Sequence, residues 1–450
     1  MSTGQTKLAR RAFLARAAAV VGVPCLVPSS VLGSGGPAPS NRIALGFIGV
    51  GCMGSGHVGC SLAYPEAQIV AICDVDRWRR ERAKARVEEA YAAQRPSGTY
   101  RGCQTHNDLR ELLARDDVDA VVIATGDRWH ALATVMAAKA GKDIYTEKPI
   151  SLTIREARAM VDTVRRYGRV FQAGLQQRSS PEFEKACVLA RTGAIGKVQF
   201  VYVNLPGTCG DVNLPVEPVP DGLDWDLWLG PAPWRPYNHR FHPYGQWHGV
   251  VPWHFCRDFG GGNLTSNAVH AFDVVQWGLG MDHSGPVEII PPETGQQPAL
   301  TYRYANGAVL QVVGSHLDRG RHFVPKGWDE RTAICPFGAV FVGEGGWVHV
   351  GREGYLKAFP ESLLEQAQAP YEHRRAVYNH HQNWFDAIRS RERPHSNVSS
   401  ACQSTIVSHL GCIAHWTGRA LRWDPAKEVF LGDEDANRWL ERAMRPPWRL

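Results

Sequence analysis

The stretch Gly49-Val50-Gly51-Cys52-Met53-Gly54 constrains this chain more than any other. An apolar run, RIALGFIG from Arg42, leads into it and reads as a strand. A helical stretch follows to about Ala63, and Gln68–Cys73 (QIVAIC) reads as a second strand that ends at Asp74. Strand, G-x-G-x-x-G turn, helix, strand and an acid 20 residues after Gly54 make the βαβ unit that receives a dinucleotide. Gly49 permits the tight turn, Gly51 lets the backbone approach the pyrophosphate, and Gly54 lets the helix pack on the strand. The N–H groups of the helix start, at Cys52 and Met53, face the phosphate charge. Asp74 accepts from the ribose hydroxyls and repels a 2′-phosphate, so NAD is expected over NADP, although Arg77 stands close enough to soften that preference.

The pattern then repeats. Asp119–Thr125 (DAVVIAT) reads as a buried parallel strand, and Gly126-Asp127-Arg128-Trp129-His130 as a loop at its carboxyl end, where open α/β sheets gather ligands. Thr125 and His130 are therefore cofactor candidates. A helix over about Ala131–Ala140 is expected, then a short strand Asp143–Thr146 ending in Glu147-Lys148-Pro149. Glu147 and Lys148 at this strand end are further candidates, and Lys148 stands where an amine can take and return a proton.

The glycine turn with Asp74, the run ATGDRWH and the run TEKPIS together resemble the Gfo/Idh/MocA family of glucose–fructose oxidoreductases and inositol dehydrogenases. The family's second motif usually reads ATPxxxH, so Gly126 stands in place of a proline. GLDWDLWLGPAPWRPYN (Gly222–Asn238), FGGGNLTSNAVHAFD (Phe259–Asp273) and the closing WDPAKEVF and MRPPW look like an exported bacterial branch that acts on sugars. The resemblance implies an N-terminal Rossmann domain over 41–174 and a C-terminal α/β domain over 175–450, with a large open, mostly antiparallel sheet that covers the nicotinamide. It implies that Lys148 is catalytic. Among the 15 tryptophans, Trp228 is expected at the cleft as a cofactor contact.

Within the second domain, Gly260–Gly262 is expected to open a helix with Asn263 as its N-cap. Ser266, His270 and Asp273 would then share one face at i, i+4 and i+7. The family carries D-x-x-x-H-x-x-D there, so His270 and Asp273 are expected to be catalytic. Ser266 replaces the first aspartate, and a serine cannot hold a histidine as imidazolium. His270 would then act alone as base, with Ser266 or Asn267 orienting the sugar, or the redox chemistry would be altered. Gln176 and Arg178, after a strand over 169–175, and Trp253 are expected to line the substrate cleft. His239, His242, His248 and His254 lie among aromatic residues and lack the helical spacing of a zinc protease, so no metal is assigned. A sugar contact, a structural loop and a metal site remain the readings of that stretch.

At the N-terminus, Arg10-Arg11 with Phe13-Leu14 precedes an uncharged run to Val27, which resembles a twin-arginine export signal over 1–33. Ser34–Ser40 reads as a flexible spacer. A periplasmic location is expected. The formal charge is +6; residues 1–33 hold Lys7, Arg10, Arg11 and Arg16 and no acid, so removing those four charges leaves +2. So small an excess gives no reason to invoke nucleic acid or anionic lipid. The 11 cysteines form no C-x-x-C pair and read as small buried residues. Farther along, Thr301–Ser315 reads as paired strands about Asn306-Gly307, and Tyr378–Ser390 and Gln403–Leu421 as amphipathic helices.

These features point to an NAD-dependent oxidoreductase of a sugar, glycoside or polyol hydroxyl, with a tightly bound cofactor recycled in place. Its expected partners are a carbohydrate, the twin-arginine machinery and other copies of the chain. Two alternatives stand beside it: a glycoside hydrolase or lyase that uses NAD transiently, and a non-catalytic sugar-binding relic.

Overall fold

The computed structural model describes residues 41–96, 98–246, 252–366 and 379–450. The expected export signal and spacer lie outside the described residues. The first sheet has six parallel strands: β1 (Ile43–Ile48), β2 (Ala67–Cys73), β3 (Gln104–His106), β4 (Ala120–Ile123), β5 (Asp143–Thr146) and β6 (Phe171–Ala173). Their order is β3-β2-β1-β4-β5-β6. The chain reverses direction across the sheet between β1 and β4, and in such sheets that crevice takes the ligand. Strands β4 and β5 are buried throughout, which explains their continuous apolar runs.

Helix α1 (Cys52–Ser61) follows β1, and α2 (Arg77–Ala90) follows β2. After β3 comes the short α3 (Leu109–Leu113), and after β4 comes α4 (Asp127–Lys139). Helix α4 begins four residues earlier than its sequence suggested, because Gly126 takes the N-cap position and Asp127 opens the first turn. The run DRWH is thus helix rather than loop. Helix α5 (Ile154–Arg166) follows β5, capped by Thr153, whose side chain accepts from the Glu156 N–H.

The second sheet has nine strands. In chain order they are β7 (Val198–Val203), β8 (Pro286–Ile290), β9 (Leu300–Tyr304), β10 (Val309–Val312), β11 (Ala339–Gly343), β12 (Trp347–Val350), β13 (Leu356–Phe359), β14 (Leu421–Asp424) and β15 (Val429–Phe430). They lie in the order β13-β12-β11-β7-β10-β9-β8-β14-β15. Only β10 and β7 run parallel; the other neighbours are antiparallel. The hairpin at Asn306-Gly307 forms between β9 and β10, with Gly307 at φ +92°. The second domain also holds α6 (Pro181–Arg191), α7 (Trp225–Leu229), α8 (Asn263–Ser266), α9 (Ala268–Gly278), α10 (His380–Ser390) and α11 (Val398–Thr417).

A division at residue 174 separates the two sheets but not their cores. Helix α11 contributes Val398, Ile406, Val407 and Leu410 to a core that also contains Ala157, Met160 and Val161 of α5. Helix α10 returns to the first sheet, where Trp384 and Phe385 pack with Phe47, Val122 and Tyr145. The site therefore lies between two bodies that share one hydrophobic core.

Candidate active site

A cavity opens at the carboxyl ends of β1, β2 and β4. Gly49, Gly51, Cys52, Met53, Asp74 and Thr125 line it, together with Asn107, Gly126 and Arg128. Its residues fit a dinucleotide. Gly49 has φ +84°, and a Cβ there would fall 2.8 Å from the Ala124 carbonyl oxygen. A Cβ on Gly54 would fall 2.1 Å from the Gly49 oxygen, so α1 meets the turn at backbone distance. Gly51 caps α1 with no side-chain acceptor, which leaves the first N–H groups for an anion. Asp74 is fixed: its Oδ2 accepts from the Val50 N–H at 2.8 Å and its Oδ1 from the Asp76 N–H at 2.9 Å. The carboxylate is thus anchored at the cavity, where it would accept from ribose hydroxyls of a bound dinucleotide.

The second domain closes this cavity. Asp224 donates its N–H to the Val75 carbonyl at 3.0 Å, and Arg77 donates to the Gly222 carbonyl at 2.9 Å. This docks α7 on the end of β2 and brings Leu227, Trp228, Phe241, His242, Pro243 and Trp253 into the wall. Trp228 stacks on Trp225 with ring centroids 4.3 Å apart, and the Arg128 guanidinium lies 3.7 Å from the Trp228 ring centre. Arg128 also explains Gly126. A Cβ at 126 would fall 2.4 Å from Arg128 Nη1, so the guanidinium occupies the space that the family's proline ring would need.

His242 ties the two domains at the cavity wall. Its Nδ1 accepts from Trp228 Nε1 at 3.0 Å, so its proton lies on Nε2, which donates to Asp76 Oδ2 at 2.9 Å. Burial lowers the His242 pKa against the pull of Asp76, in keeping with this neutral form. Asp76 also caps α2 and is fully buried. No sequence pattern singled it out, because its partner stands 166 residues away.

Beyond the cavity, β5 ends in Glu147 and Lys148. Burial works against the Glu147 charge, but the His57 N–H, the His57 and Lys148 charges and the Lys148 backbone N–H outweigh it and bring its pKa to about 2. Ionised, Glu147 only accepts, so His57 Nε2 donates to it at 2.8 Å. His57 Nδ1 meets His381 Nε2 at 3.0 Å, and His381 Nδ1 meets Cys60 Sγ at 3.6 Å. The Tyr145 ring lies flat on His381 at 5.2 Å. Gln176 joins Glu147 Oε1 at 3.4 Å and Tyr145 at 3.2 Å. Asp127 is buried near Lys148, and burial pushes its carboxyl up to about 7 against the Lys148 and Arg128 charges.

The segment Asn263–Gly278 is not the single helix expected. Asn267 has φ −124°, ψ −52°, and it separates α8 from α9. Gly262, at φ +73°, takes the N-cap position in place of Asn263. The break frees the Ser266 carbonyl, which accepts from Lys148 Nζ. The Ser266 hydroxyl turns back to the Gly262 carbonyl at 2.8 Å, and Asn267 Nδ2 reaches Asn263 Oδ1 at 3.0 Å. Ser266 thus meets Lys148 through its backbone.

His270 is buried and faces Gln177. With the Gln177 amide turned so that both ends are satisfied, its nitrogen donates to His270 Nδ1 at 2.8 Å and its oxygen accepts from Arg352 Nε and Nη2 at 3.1 Å each. Burial, reinforced by the Lys148 and Arg352 charges, holds the His270 pKa well below its usual value of 6.5.

Asp273, expected to be catalytic, faces elsewhere. Arg178 grips it from Nε at 2.8 Å and from Nη2 at 2.8 Å, and Ser404 donates to it at 2.7 Å. Arg178, expected at the substrate, is shared between Asp273 and Asp282 and is buried. Both residues are committed to one buried network, in which a guanidinium and a hydroxyl occupy the carboxylate.

Three further expectations change. The His130 ring spans the Pro149 carbonyl at 2.6 Å and the Thr125 carbonyl at 3.1 Å, so it braces the two strand-end loops and does not line the cofactor cavity. Trp253 lines the dinucleotide cavity. Among the described histidines of residues 239–254, His239 pairs with Glu217 and His242 with Asp76, so the stretch does not converge; His248 lies outside the described residues. No cluster of metal-ligating side chains exists among the described residues. The ten described cysteines are free, although Cys52 is exposed and Cys60 and Cys335 are half-buried. No described helix is long and apolar enough to cross a membrane.

Fold and site together define a two-domain protein whose first domain is an NAD-binding Rossmann fold. The chain belongs to the Gfo/Idh/MocA family: residues 43–175 match its "Oxidoreductase family, NAD-binding Rossmann fold", and residues 198–330 and 354–450 match its "Oxidoreductase family, C-terminal alpha/beta domain". Curated relatives include a glycosyl hydrolase family 109 protein of Shewanella sp. (strain ANA-3), 37% identical over 142 residues, which are 31% of this chain and 29% of that protein. An alpha-N-acetylgalactosaminidase of Shewanella oneidensis is 37% identical over 126 residues, 28% of this chain and 26% of that one. The chain thus spans under a third of these relatives. An aldose-aldose oxidoreductase of Caulobacter crescentus has the same fold, with TM-score 0.54 at 16% identity over 85% of this chain and 99% of that one. So has the WlbA dehydrogenase of Bordetella pertussis, with TM-score 0.54 at 16% identity over 86% and 99%.

Proposed function

We propose that the protein is an oxidoreductase of a carbinol carbon in a sugar, glycoside or polyol, with NAD held in the closed cavity and restored in place. The observation that carries this reading is the position of Lys148. It follows β5, the neighbour of β4, whose carboxyl end lines the dinucleotide cavity, and its amine crosses to the helix break that precedes His270. NAD, when bound, supplies the acceptor and donor of hydride. Gly49, Gly51, Cys52, Met53, Asp74 and Thr125 hold it, and Trp228, His242 and Trp253 cover it. Lys148 takes the hydroxyl proton as the carbinol becomes a carbonyl and returns it in the reverse direction. Glu147, fixed by His57, braces the Lys148 backbone.

The names of the curated relatives favour a second reading. A glycoside would be oxidised at a ring hydroxyl, lose its aglycone by elimination, take up water and be reduced again. One experiment separates the two. The purified protein is denatured and the released nucleotide assayed; the intact protein is then given sugars, polyols and glycosides. Oxidised product in step with a reduced acceptor supports the first reading. Aglycone release with no net NADH supports the second, and absence of nucleotide defeats both.

The export signal joins the proposal. A twin-arginine route carries folded protein, so NAD would bind in the cytoplasm and travel in the closed cavity to the periplasm.

A further inference from the structure

We propose that Arg352 and Gln177 are positioning residues that hold His270 as the neutral Nε2–H tautomer, so that His270 offers the substrate oxygen a hydrogen bond and Lys148 alone exchanges the proton. The role toward substrate rests on the carbinol reading above; the tautomer does not.

A guanidinium has donors and no acceptor. Arg352 Nε and Nη2 both reach one end of the Gln177 amide at 3.1 Å, so that end is the oxygen. The other end, 2.8 Å from His270 Nδ1, is therefore the NH2 group. An amide NH2 also has no acceptor, so Nδ1 must carry a lone pair and the imidazole proton sits on Nε2. An imidazolium at 270 would set an N–H against an N–H. The titratable groups that act on the ring are Lys148 and Glu147 from the end of β5, Arg352 from the loop after β12 and His380 from α10, which burial keeps neutral with its pKa at about 4. The Lys148 and Arg352 charges oppose a positive ring as well.

The device is anchored. Gln177 is 3% exposed. Phe337 joins the two ends: its ring meets His270 edge-on at 5.7 Å, and the Arg352 guanidinium lies 4.0 Å from its centre. Phe337 and Arg352 both fall between residues 330 and 354, the stretch that the family's C-terminal domain leaves unmatched. Phe337 precedes β11 and Arg352 follows β12, so the contact joins the two ends of one hairpin. It also limits what His270 can do. With Nδ1 occupied and Nε2 protonated, the ring donates and does not serve as base.

The test is nuclear magnetic resonance on the full-length, NAD-loaded protein labelled with 15N-histidine, with His270→Gln identifying the signal by difference. The expected wild-type result is an unprotonated Nδ1, a protonated Nε2 and no titration between pH 5.5 and 8, a window chosen about the ordinary histidine pKa of ~6.5. Gln177→Glu keeps the shape but accepts at both ends; it should move the proton to Nδ1 and bring a His270 titration into that window. Arg352→Met frees the amide to turn, so both tautomers should appear, while Arg352→Lys, which keeps a donor, should restore the wild-type pattern. Circular dichroism and retained nucleotide check the fold of each variant. A wild-type His270 that is protonated on Nδ1 or titrates near 6.5, or a tautomer unmoved by both Gln177→Glu and Arg352→Met, would overturn the inference. The expected pattern in a protein that oxidises no carbinol upholds it and defeats the carbinol reading instead.

Discussion

The two halves of the site are built from different materials. The dinucleotide half is backbone: Gly49, Gly51 and Gly54 bring main chain against main chain, and one carboxylate, Asp74, is fixed by two N–H groups. The other half is side chain: His270, Gln177 and Arg352 come from distant segments and orient one another, while Lys148 reaches the Ser266 carbonyl. A backbone cradle tolerates little change but asks for few partners. A side-chain cleft can change its chemistry by exchanging one residue, as the pairing of Arg352 with Gln177 illustrates.

Substitutions can break or sharpen this contrast, and the largest effect should fall on a residue that belongs to neither half. Asp273→Ala removes the main counter-charge of buried Arg178 and should cost about 3 kcal/mol of stability, read by denaturant unfolding. Variant molecules that do fold should bind NAD normally; a stable Asp273→Ala protein with selectively lost turnover would return Asp273 to the chemistry. Lys148→Ala should lower turnover ~100-fold, about 2.7 kcal/mol, with NAD still bound. Full activity in that variant would move the proton transfer to another group. Asp74→Ser acts on the other half alone. Wild type should prefer NAD over NADP at least ~10-fold, about 1.4 kcal/mol, and the variant should narrow that gap with Lys148 chemistry unchanged. Equal affinities in the wild type, measured by titration, would contradict the assignment. The smallest effect belongs to Ser266→Ala. Its hydroxyl bonds only the Gly262 carbonyl among the described partners, and Lys148 uses its backbone. Turnover should change less than ~3-fold, which is below ~0.7 kcal/mol; a larger loss would place the hydroxyl at the substrate.

The same contrast explains what could be read from the residues in order. The glycine turn and the TEKPIS strand end were legible because their demands are local: a positive φ, a close backbone approach, a strand terminus. The break at Asn267 left a weaker trace in the run Asn263-Leu264-Thr265-Ser266-Asn267, rich in side chains that compete for backbone hydrogen bonds. Treating that run as continuous helix put Ser266, His270 and Asp273 on one face, whereas His270 and Asp273 answer to different partners. Those partners are remote: Arg178 stands 95 residues from Asp273, and His381 324 residues from His57. No periodicity announces such pairs. Gln177 and Arg352 carry no signal as a pair for the same reason, and an aromatic residue such as Trp253 suits an adenosine as well as a pyranose.

On the function proposed above, NAD is closed between the Rossmann turn and the tryptophan-lined wall of the second domain and is carried rather than exchanged. Retention through export and purification needs a dissociation constant near or below ~1 nM, about −12 kcal/mol. The direct measurement is native mass spectrometry of protein recovered from the periplasm, with no cofactor added at any stage. The account predicts a chain lacking residues 1–33 that carries one NAD. A protein found only in the apo form, and active solely when NAD is supplied from outside, would contradict it.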